Sequence, residues 1–467
     1  LKLFVRFRRP LRVKILTFTR SERCLDLQGL VNHVQECFGQ GHASSLTRRQ
    51  TLSGLGLGLG LGIATGIPVL AQKMSVRIVI IGGGFGGASS AQYLKHLLPN
   101  ADITLVESNA NYVACPFSNL VIGGDRDIAD QTFGYAALKA LGVNIIHAYA
   151  KDVDPIARTV QLAGDAALRY DKLILSPGID MRWNALEGYD EAAAEIMPHA
   201  WKAGAQTLLL RKQLEKMENG GLVVMSAPPA PFRCPPGPYE RASLIAHYLK
   251  THKPKSKLII LDAKDSFSKM PLFKEAWAEL YPEHLEWRAG SFDGRVTRVD
   301  TASRTLVTDF DELKPAVANV IPPQKAGEIA RRAGVADDTG WCPIHPLNFE
   351  SRLHKHIHVI GDATVASPMP KSAFSANLQA KIAAISIAQE LNGTEITPTT
   401  LVNTCYSYTA PDEAVSIVGV YHNSNDELTS VKGAGGLSPL NAEKSIRQTE
   451  AQQAKDWFAT IAAEAFG

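Results

Sequence analysis

The sequence predicts an α/β chain, with two Rossmann-like dinucleotide-binding units in series and a further C-terminal domain. Three observations predict it. A β-branched strand runs directly into a Gly-x-Gly-x-x-Gly turn and a helical pattern at residues 76–98. A second Val-rich run, Gly221–Ala227, leads through a turn into the helical pattern RASLIAHYLK. A third strand pattern, His356–Ile360, closes on Gly361-Asp362-Ala363. Short β-branched runs alternating with helical patterns are the signature of parallel sheets covered by helices.

Residues 1–73 read as a leader rather than as part of this fold. Paired arginines in Thr47-Arg48-Arg49-Gln50-Thr51-Leu52 precede an uncharged stretch, Leu52–Leu70, that ends in Val69-Leu70-Ala71. Paired arginines, a mildly apolar core and a small-residue cleavage site near Ala71 predict export by the twin-arginine route and a periplasmic mature chain. The core is Gly-rich (GLGLGLGLG, Gly54–Gly62), which argues against a permanent span, so no integral membrane segment is expected in the mature protein. Ten of the 49 Lys and Arg but only three of the 46 Asp and Glu lie in residues 1–71, so the remainder carries a small net negative charge. That balance gives no electrostatic footprint for nucleic acid.

The first unit is SVRIVIIGGGFGGASSAQYLKHLLPNADITLVES. The strand Val76–Ile81 meets Gly82-x-Gly84-x-x-Gly87, a helix follows from about Ala88 to Leu98, and a second strand, Ile103–Val106, ends in Glu107. The glycines permit a tight turn and close approach of a pyrophosphate, the helix N-terminus offers unpaired N–H groups, and Glu107 is placed to accept from a ribose. Two later segments make the dinucleotide FAD. Tyr170–Gly178 is a strand ending in a small-residue turn at Gly178, as in flavoproteins of the disulfide-reductase type. In their second flavin motif, the counterpart of Asp362 binds the ribityl chain. Ser375–Glu390 is the helix expected to point its N-terminus, and its positive dipole end, at the flavin ring.

The second unit has the strands and helix of a βαβ motif, and Asp262 sits where a ribose-binding acid belongs. Its turn, PPAPFRCPPGPYE (Pro228–Glu240), is rich in proline and lacks the glycine fingerprint. A nicotinamide-type domain that no longer binds NAD(P)H is expected, with Cys234 in place of a hydride donor. Cys24 and Cys37 belong to the leader; Cys115, Cys234, Cys342 and Cys405 remain. On spacing alone these are redox groups, buried small hydrophobes or a structural bridge. No Cys-x-x-Cys or Cys/His cluster suggests a metal. His354, His356 and His358 alternate as a half-exposed strand does.

From Met74 to Gly467 the chain resembles the flavoprotein subunit of flavocytochrome c sulfide dehydrogenases, more distantly the sulfide:quinone oxidoreductases. The runs that carry the resemblance are IVIIGGGFGG, ACPFSNLVIGG, PFRCPPGPYERASLI, TGWCPI, IHVIGDATVASPMPKSAFSAN and NTCYS. The resemblance implies a glutathione-reductase type of fold. Residues 74–187 and 329–394 would form the FAD-binding domain, 188–328 the nicotinamide-domain-like module, and 395–467 a C-terminal interface domain. It further implies a thioether from Cys115 to FAD, a redox-active disulfide between Cys234 and Cys405, and Glu240 as proton carrier. Lys371 would lie close to the flavin ring and Trp457 beside the active site, leaving Cys342 without a role. The implied activity is oxidation of sulfide to zero-valent sulfur or polysulfide, with electrons passed to a c-type cytochrome subunit in a heterodimer. No Cys-x-x-Cys-His occurs in this chain, so any haem lies on another polypeptide. The alternatives are a sulfide:quinone oxidoreductase and an auxiliary flavoprotein of a sulfur-oxidising complex.

Overall fold

The computed structural model describes residues 75–424 and 426–467. The leader expected at residues 1–73, with its export signal, lies outside them. Two parallel sheets organise the described chain. The first has the spatial order Ile357–Val359, Lys172–Leu175, Arg77–Ile81, Asp102–Val106, Asn144–Ile146. Its strands are continuous apolar runs because both faces are covered, as parallel sheets require; Ile78, Ile80, Leu173, Ile174, Ile357 and Val359 have no exposed surface. The helices Phe85–Leu97 and Ala373–Leu391 pack together beside it. The first begins three residues before the expected Ala88, because Gly84 is its extended N-cap and Phe85 is already buried against Tyr112 and Phe466. Ser372 caps the other, its Oγ accepting the Ser375 N–H at 3.1 Å.

The second sheet runs Leu285–Arg288, Lys257–Asp262, Leu222–Ala227, Val317–Val320, again all parallel. The helix Gly237–His252 starts inside the proline-rich turn, with Pro238 in its first turn, where a missing N–H costs nothing. Asp262 is fully buried. It accepts from Tyr239 Oη (2.6 Å), Trp287 Nε1 (3.0 Å) and Lys264 Nζ (2.6 Å), so its lone pairs are spent within the domain.

The C-terminal segment folds as an antiparallel sheet, Thr400–Ala410, Glu413–Ser424 and Glu427–Ser430, and a long helix, Lys444–Phe466. Ala454, Phe458, Ile461, Ala462 and Ala465 form the helix's buried stripe, as its spacing predicts. Phe458 and Phe466 pack on Phe85, Phe117 and Phe133 of the first nucleotide unit. Burial of each such ring stabilises by about 1.5–3 kcal/mol, so the helix is a structural lid on the first unit. The histidine alternation misled: Ile357–Val359 is buried on both faces, with His358 fully covered and its Nδ1 3.0 Å from Asn348 O, while His356 lies outside the strand at φ +68°. Burial lowers the His358 pKa to about 4, so it sits neutral in the core. Among the described residues no helix is long and apolar enough to cross a membrane.

Candidate active site

A cavity of about 630 Å³ opens where the first nucleotide unit, the proline-rich turn and the C-terminal segment meet. Its floor is the glycine turn. Gly82 holds φ +99°, and a Cβ there would lie 2.3 Å from Ser176 O; a Cβ on Gly87 would lie 1.8 Å from Gly82 O. The backbone closes on itself at both positions, so only glycine fits. Gly84 faces the cavity as a helix N-cap without any side-chain cap, leaving the first N–H groups for a ligand. Glu107 lines the same end; it accepts Gly83 N–H at 2.8 Å and Asn109 N–H at 2.9 Å. The Tyr135 hydroxyl, which the sequence reading passed over, donates to Gly83 O at 3.0 Å and pins the turn from behind. Gly178 lines the cavity at the end of the Lys172–Leu175 strand.

Asp362 sits on a 3₁₀ turn directly after the Ile357–Val359 strand. Its Oδ1 is buried without a hydrogen-bond partner, and its Oδ2 lies 3.7 Å from Arg233 Nη1. Burial pushes this carboxyl up, against Arg233 and Lys371. A buried acceptor facing a cavity is complete only when a ligand hydroxyl or N–H donates to it. The cradle that excludes Cβ atoms, the uncapped helix end, the terminal glutamate and the orphaned aspartate oxygen together fit FAD.

The sulfur-bearing end is built from three separate segments. Cys115 lines the cavity on the loop before the Ser118–Gly123 helix, held by Ser118 Oγ donating to its carbonyl at 2.7 Å. Cys234 has a left-handed backbone, φ +56°; its N–H donates to Lys371 O (2.9 Å) and its carbonyl accepts Gly237 N–H (2.8 Å). Cys405 lies mid-strand opposite Ile417. Cys234 and Cys405, remote in sequence, line this cavity and also a second one of about 210 Å³, walled by Pro235, Pro236, Pro368 and Pro370. All four described cysteines are free thiols in this structure, so the bond implied between Cys234 and Cys405 is not formed here. Burial pushes both thiols up; Lys269 opposes this at each.

Glu240, in the first turn of the Gly237–His252 helix, lines the cavity with 8% of its surface exposed. Burial raises its pKa against the hydrogen bonds from Tyr408 and Asn119. Arg241, unnoticed in the sequence, is the fastener behind it. It donates to Asn119 Oδ1 (3.0 Å), Asn319 Oδ1 (2.9 Å), His199 O (3.0 Å) and Ala200 O (2.5 Å) and stacks over Trp201. Trp457 lines the cavity, its Nε1 buried without a partner. Lys371 does not line the cavity with its side chain. Its Nζ donates to Asp362 O (2.9 Å) and Thr364 O (2.5 Å) and lies over Trp341, and burial lowers its pKa to about 8. What it contributes to the site is its carbonyl, on Cys234. Cys342 is fully buried, its thiol pushed up to about 12 by burial. Among the described residues no cluster of His, Cys, Asp and Glu is placed to hold a metal ion.

Residues 207–322 match the family profile "Sulfide dehydrogenase (flavocytochrome c) flavoprotein chain, central", and residues 397–466 match "Flavocytochrome c sulphide dehydrogenase, flavin-binding". A 45-residue stretch is 58% identical to the sulfide dehydrogenase (flavocytochrome c) flavoprotein chain of Chlorobaculum thiosulfatiphilum, covering 10% of this chain and 94% of that sequence. The chain belongs to the flavocytochrome c sulfide dehydrogenase flavoprotein family. Residues 76–213 also match the pyridine nucleotide-disulphide oxidoreductase profile, in keeping with the nucleotide cradle. Relatives outside the sulfide dehydrogenase flavoproteins include the mitochondrial sulfide:quinone oxidoreductase of Mus musculus, 22% identical over 62% of this chain and 66% of its own length. The sulfide-quinone reductase of Aquifex aeolicus is 24% identical over 64% and 71%. The sulfide:quinone oxidoreductase structure from Aquifex aeolicus superposes with TM-score 0.67 at 18% identity, over 84% of this chain and 92% of that one, which places the fold among flavoproteins of this type.

Proposed function

We propose that the protein is the flavoprotein subunit of a periplasmic sulfide dehydrogenase. It oxidises sulfide to zero-valent sulfur or polysulfide at Cys234 and Cys405, holds FAD covalently through Cys115, and passes electrons to a c-type cytochrome subunit rather than to or from NAD(P)H. The observation that carries this reading is that Cys234 and Cys405, remote in sequence, line one nucleotide cavity together with Cys115 and Glu240. FAD, when bound, accepts an electron pair and can release it one electron at a time to a haem.

The chain's residues supply the rest. Hydrosulfide is a soft nucleophile toward a disulfide sulfur, and exchange needs an accessible sulfur and a stabilised leaving thiolate. The proline-walled second cavity is lined by both cysteines, and a small anion held there would lie beside them. Pro235 and Pro236 directly after Cys234 restrict the backbone of the turn, which limits the freedom of the chain that carries the sulfur. Glu240, buried and held by Asn119 and Tyr408 on the helix that follows Cys234, is the candidate proton carrier for the sulfur chemistry.

Purified protein, with and without its co-purifying partner, is assayed for sulfide-dependent reduction of cytochrome c and of a short-chain quinone. Cytochrome c reduction with little quinone reduction is expected. The reverse result would establish the second reading, a sulfide:quinone oxidoreductase, the activity named for the relatives that are 22% and 24% identical to this chain. Haem co-purifying from periplasm with a covalent flavin spectrum would support the partner and the compartment together.

A further inference from the structure

Lys269 has 4% of its surface exposed and a left-handed backbone, φ +62°, directly before the helix Met270–Leu280. Lysines are almost never buried unless paired, and a non-glycine residue at positive φ is held there against its local preference. No carboxylate pairs with it among the described residues. Its Nζ instead donates to Ser407 Oγ at 2.8 Å, Val415 O at 3.3 Å and Cys405 O at 3.4 Å. These three acceptors use all three N–H groups, and all are neutral. Two of them belong to the Thr400–Ala410 strand, one to Cys405 itself, so the ammonium is clamped to the backbone that presents the sulfur. A desolvated charge with neutral ligands is costly to the resting fold. It is repaid if an anion forms beside it during turnover.

We propose that Lys269 is the fixed cation that stabilises the Cys405 thiolate released when hydrosulfide opens the Cys234–Cys405 bond. This rests on the reading above that these two cysteines form the redox disulfide. In that exchange HS⁻ forms a new S–S bond to Cys234 Sγ, the bond to Cys405 breaks, and its electron pair stays on Cys405 Sγ. The proton of HS⁻ stays on the outer sulfur of the new persulfide. One negative charge enters with the nucleophile and ends on Cys405, the residue whose carbonyl Lys269 holds, and no external oxidant takes part. The groups facing Lys269 whose ionised forms are anions are Cys405 on its strand, Cys234 in the turn, Glu240 on the Gly237–His252 helix and Glu450 on the C-terminal helix. For Cys405 the opposing charge is Glu240, so a protonated Glu240 leaves the pull of Lys269 unopposed. Lys269 is therefore a positioning residue: it acts through Cys405.

The test is the pH profile of iodoacetamide alkylation at Cys405 in the reduced, flavin-loaded protein, read peptide by peptide by mass spectrometry. A nearby opposite charge moves a pKa by about 1 to 3 units, so Lys269→Gln and Lys269→Met are expected to slow Cys405 alkylation at pH 8 by about tenfold or more. Lys269→Arg should stay within about threefold of wild type, because the charge is kept. A wild-type profile in either neutral variant, or an arginine variant as slow as the glutamine one, overturns the proposal. If neither neutral variant keeps its flavin colour, Lys269→Arg decides: a rate within threefold supports the charge, a slower one overturns it. Non-reducing mass spectrometry of the wild type separates the two levels. A missing Cys234–Cys405 linkage defeats the underlying reading, whereas an unchanged Cys405 profile with the linkage present defeats only the role of Lys269.

Discussion

The Glu240 carboxylate accepts the backbone N–H of Tyr408 at 2.9 Å and so ties the two cysteine-bearing elements together. Glu240 lies on the helix that follows Cys234, and Tyr408 on the strand that carries Cys405. Its other oxygen accepts Asn119 Nδ2 at 2.7 Å, from the helix that follows Cys115. One buried acid thus touches all three cysteine-bearing segments, by geometry suited both to positioning and to proton transfer.

Glu240→Gln keeps an acceptor for Tyr408 but has no titratable proton. Sulfide oxidation should fall about 10²- to 10⁴-fold with flavin still bound. Stability gives a second readout. Burial raises the folded pKa above the unfolded value of about 4.3, so Glu240 binds its proton more tightly in the folded state. Its stabilising contribution is complete below the unfolded pKa and is lost as pH rises through the folded one. Tm of wild type relative to the glutamine variant should therefore decline across that window. A constant difference, together with unchanged turnover, would remove Glu240 from proton transfer.

Gly237 governs the setting of Cys234. A Cβ there would lie 3.0 Å from Cys234 Sγ and 2.8 Å from the Trp201 ring. Gly237→Ala should displace the sulfur and lower sulfide turnover by tenfold or more, while Cys234→Ala abolishes turnover and leaves FAD bound. Activity retained in Cys234→Ala, or a Cys234–Cys342 linkage in non-reduced protein, contradicts the assigned pair. Cys342 is walled into the core and is expected to stay a thiol.

The nucleotide half of the site is legible in the sequence because its parts are local. Strand, glycine turn, helix and Glu107 fall within one short run, and the backbone requirements of Gly82 and Gly87 permit no other residue. The sulfur half is assembled by topology. Nothing in the spacing of Cys234 and Cys405 says that they line one cavity; only the resemblance brought them together. Lys269 and Arg241 were invisible because a buried cation has no sequence period, and their acceptors are mostly backbone carbonyls and amide side chains on distant segments. The setting of the Lys371 side chain was hidden for the same reason: its ammonium is held by Asp362 O and Thr364 O, beside Trp341.

Cys115 and Asp362 should contribute to flavin retention in separable ways. Acid precipitation of wild type should leave yellow colour on the protein, and Cys115→Ser should release it; colourless wild-type pellets refute the linkage. In the Cys115→Ser background the flavin is exchangeable, so its affinity is measurable by fluorescence titration. Asp362→Ala then removes the buried acceptor whose Oδ1 lacks a protein partner. A hydrogen bond to a charged group is worth about 1.5–3 kcal/mol, which is about 10- to 150-fold in Kd. An unchanged Kd would mean that the Asp362 carboxylate does not touch the flavin.

Arg241 joins four acceptors in the scaffold of the site. Arg241 is 2% exposed, and burial lowers its pKa to about 9. Four oxygens accept from it: two amide side chains and two backbone carbonyls. Arg241→Met fills much of the volume but leaves those acceptors buried and unsatisfied, at about 1–3 kcal/mol for each that finds no water. Several kcal/mol of lost stability is expected, read as a lower midpoint in urea with the slope unchanged. Arg241→Lys should recover only part of it, because one ammonium cannot span acceptors arranged around a planar fork. Since Asn119 orients Glu240, the methionine variant should also broaden the acid limb of the pH–rate profile. A midpoint within experimental error of wild type would mean that the carbonyls of His199 and Ala200 find other donors and that Arg241 does not hold the proline-rich turn in place.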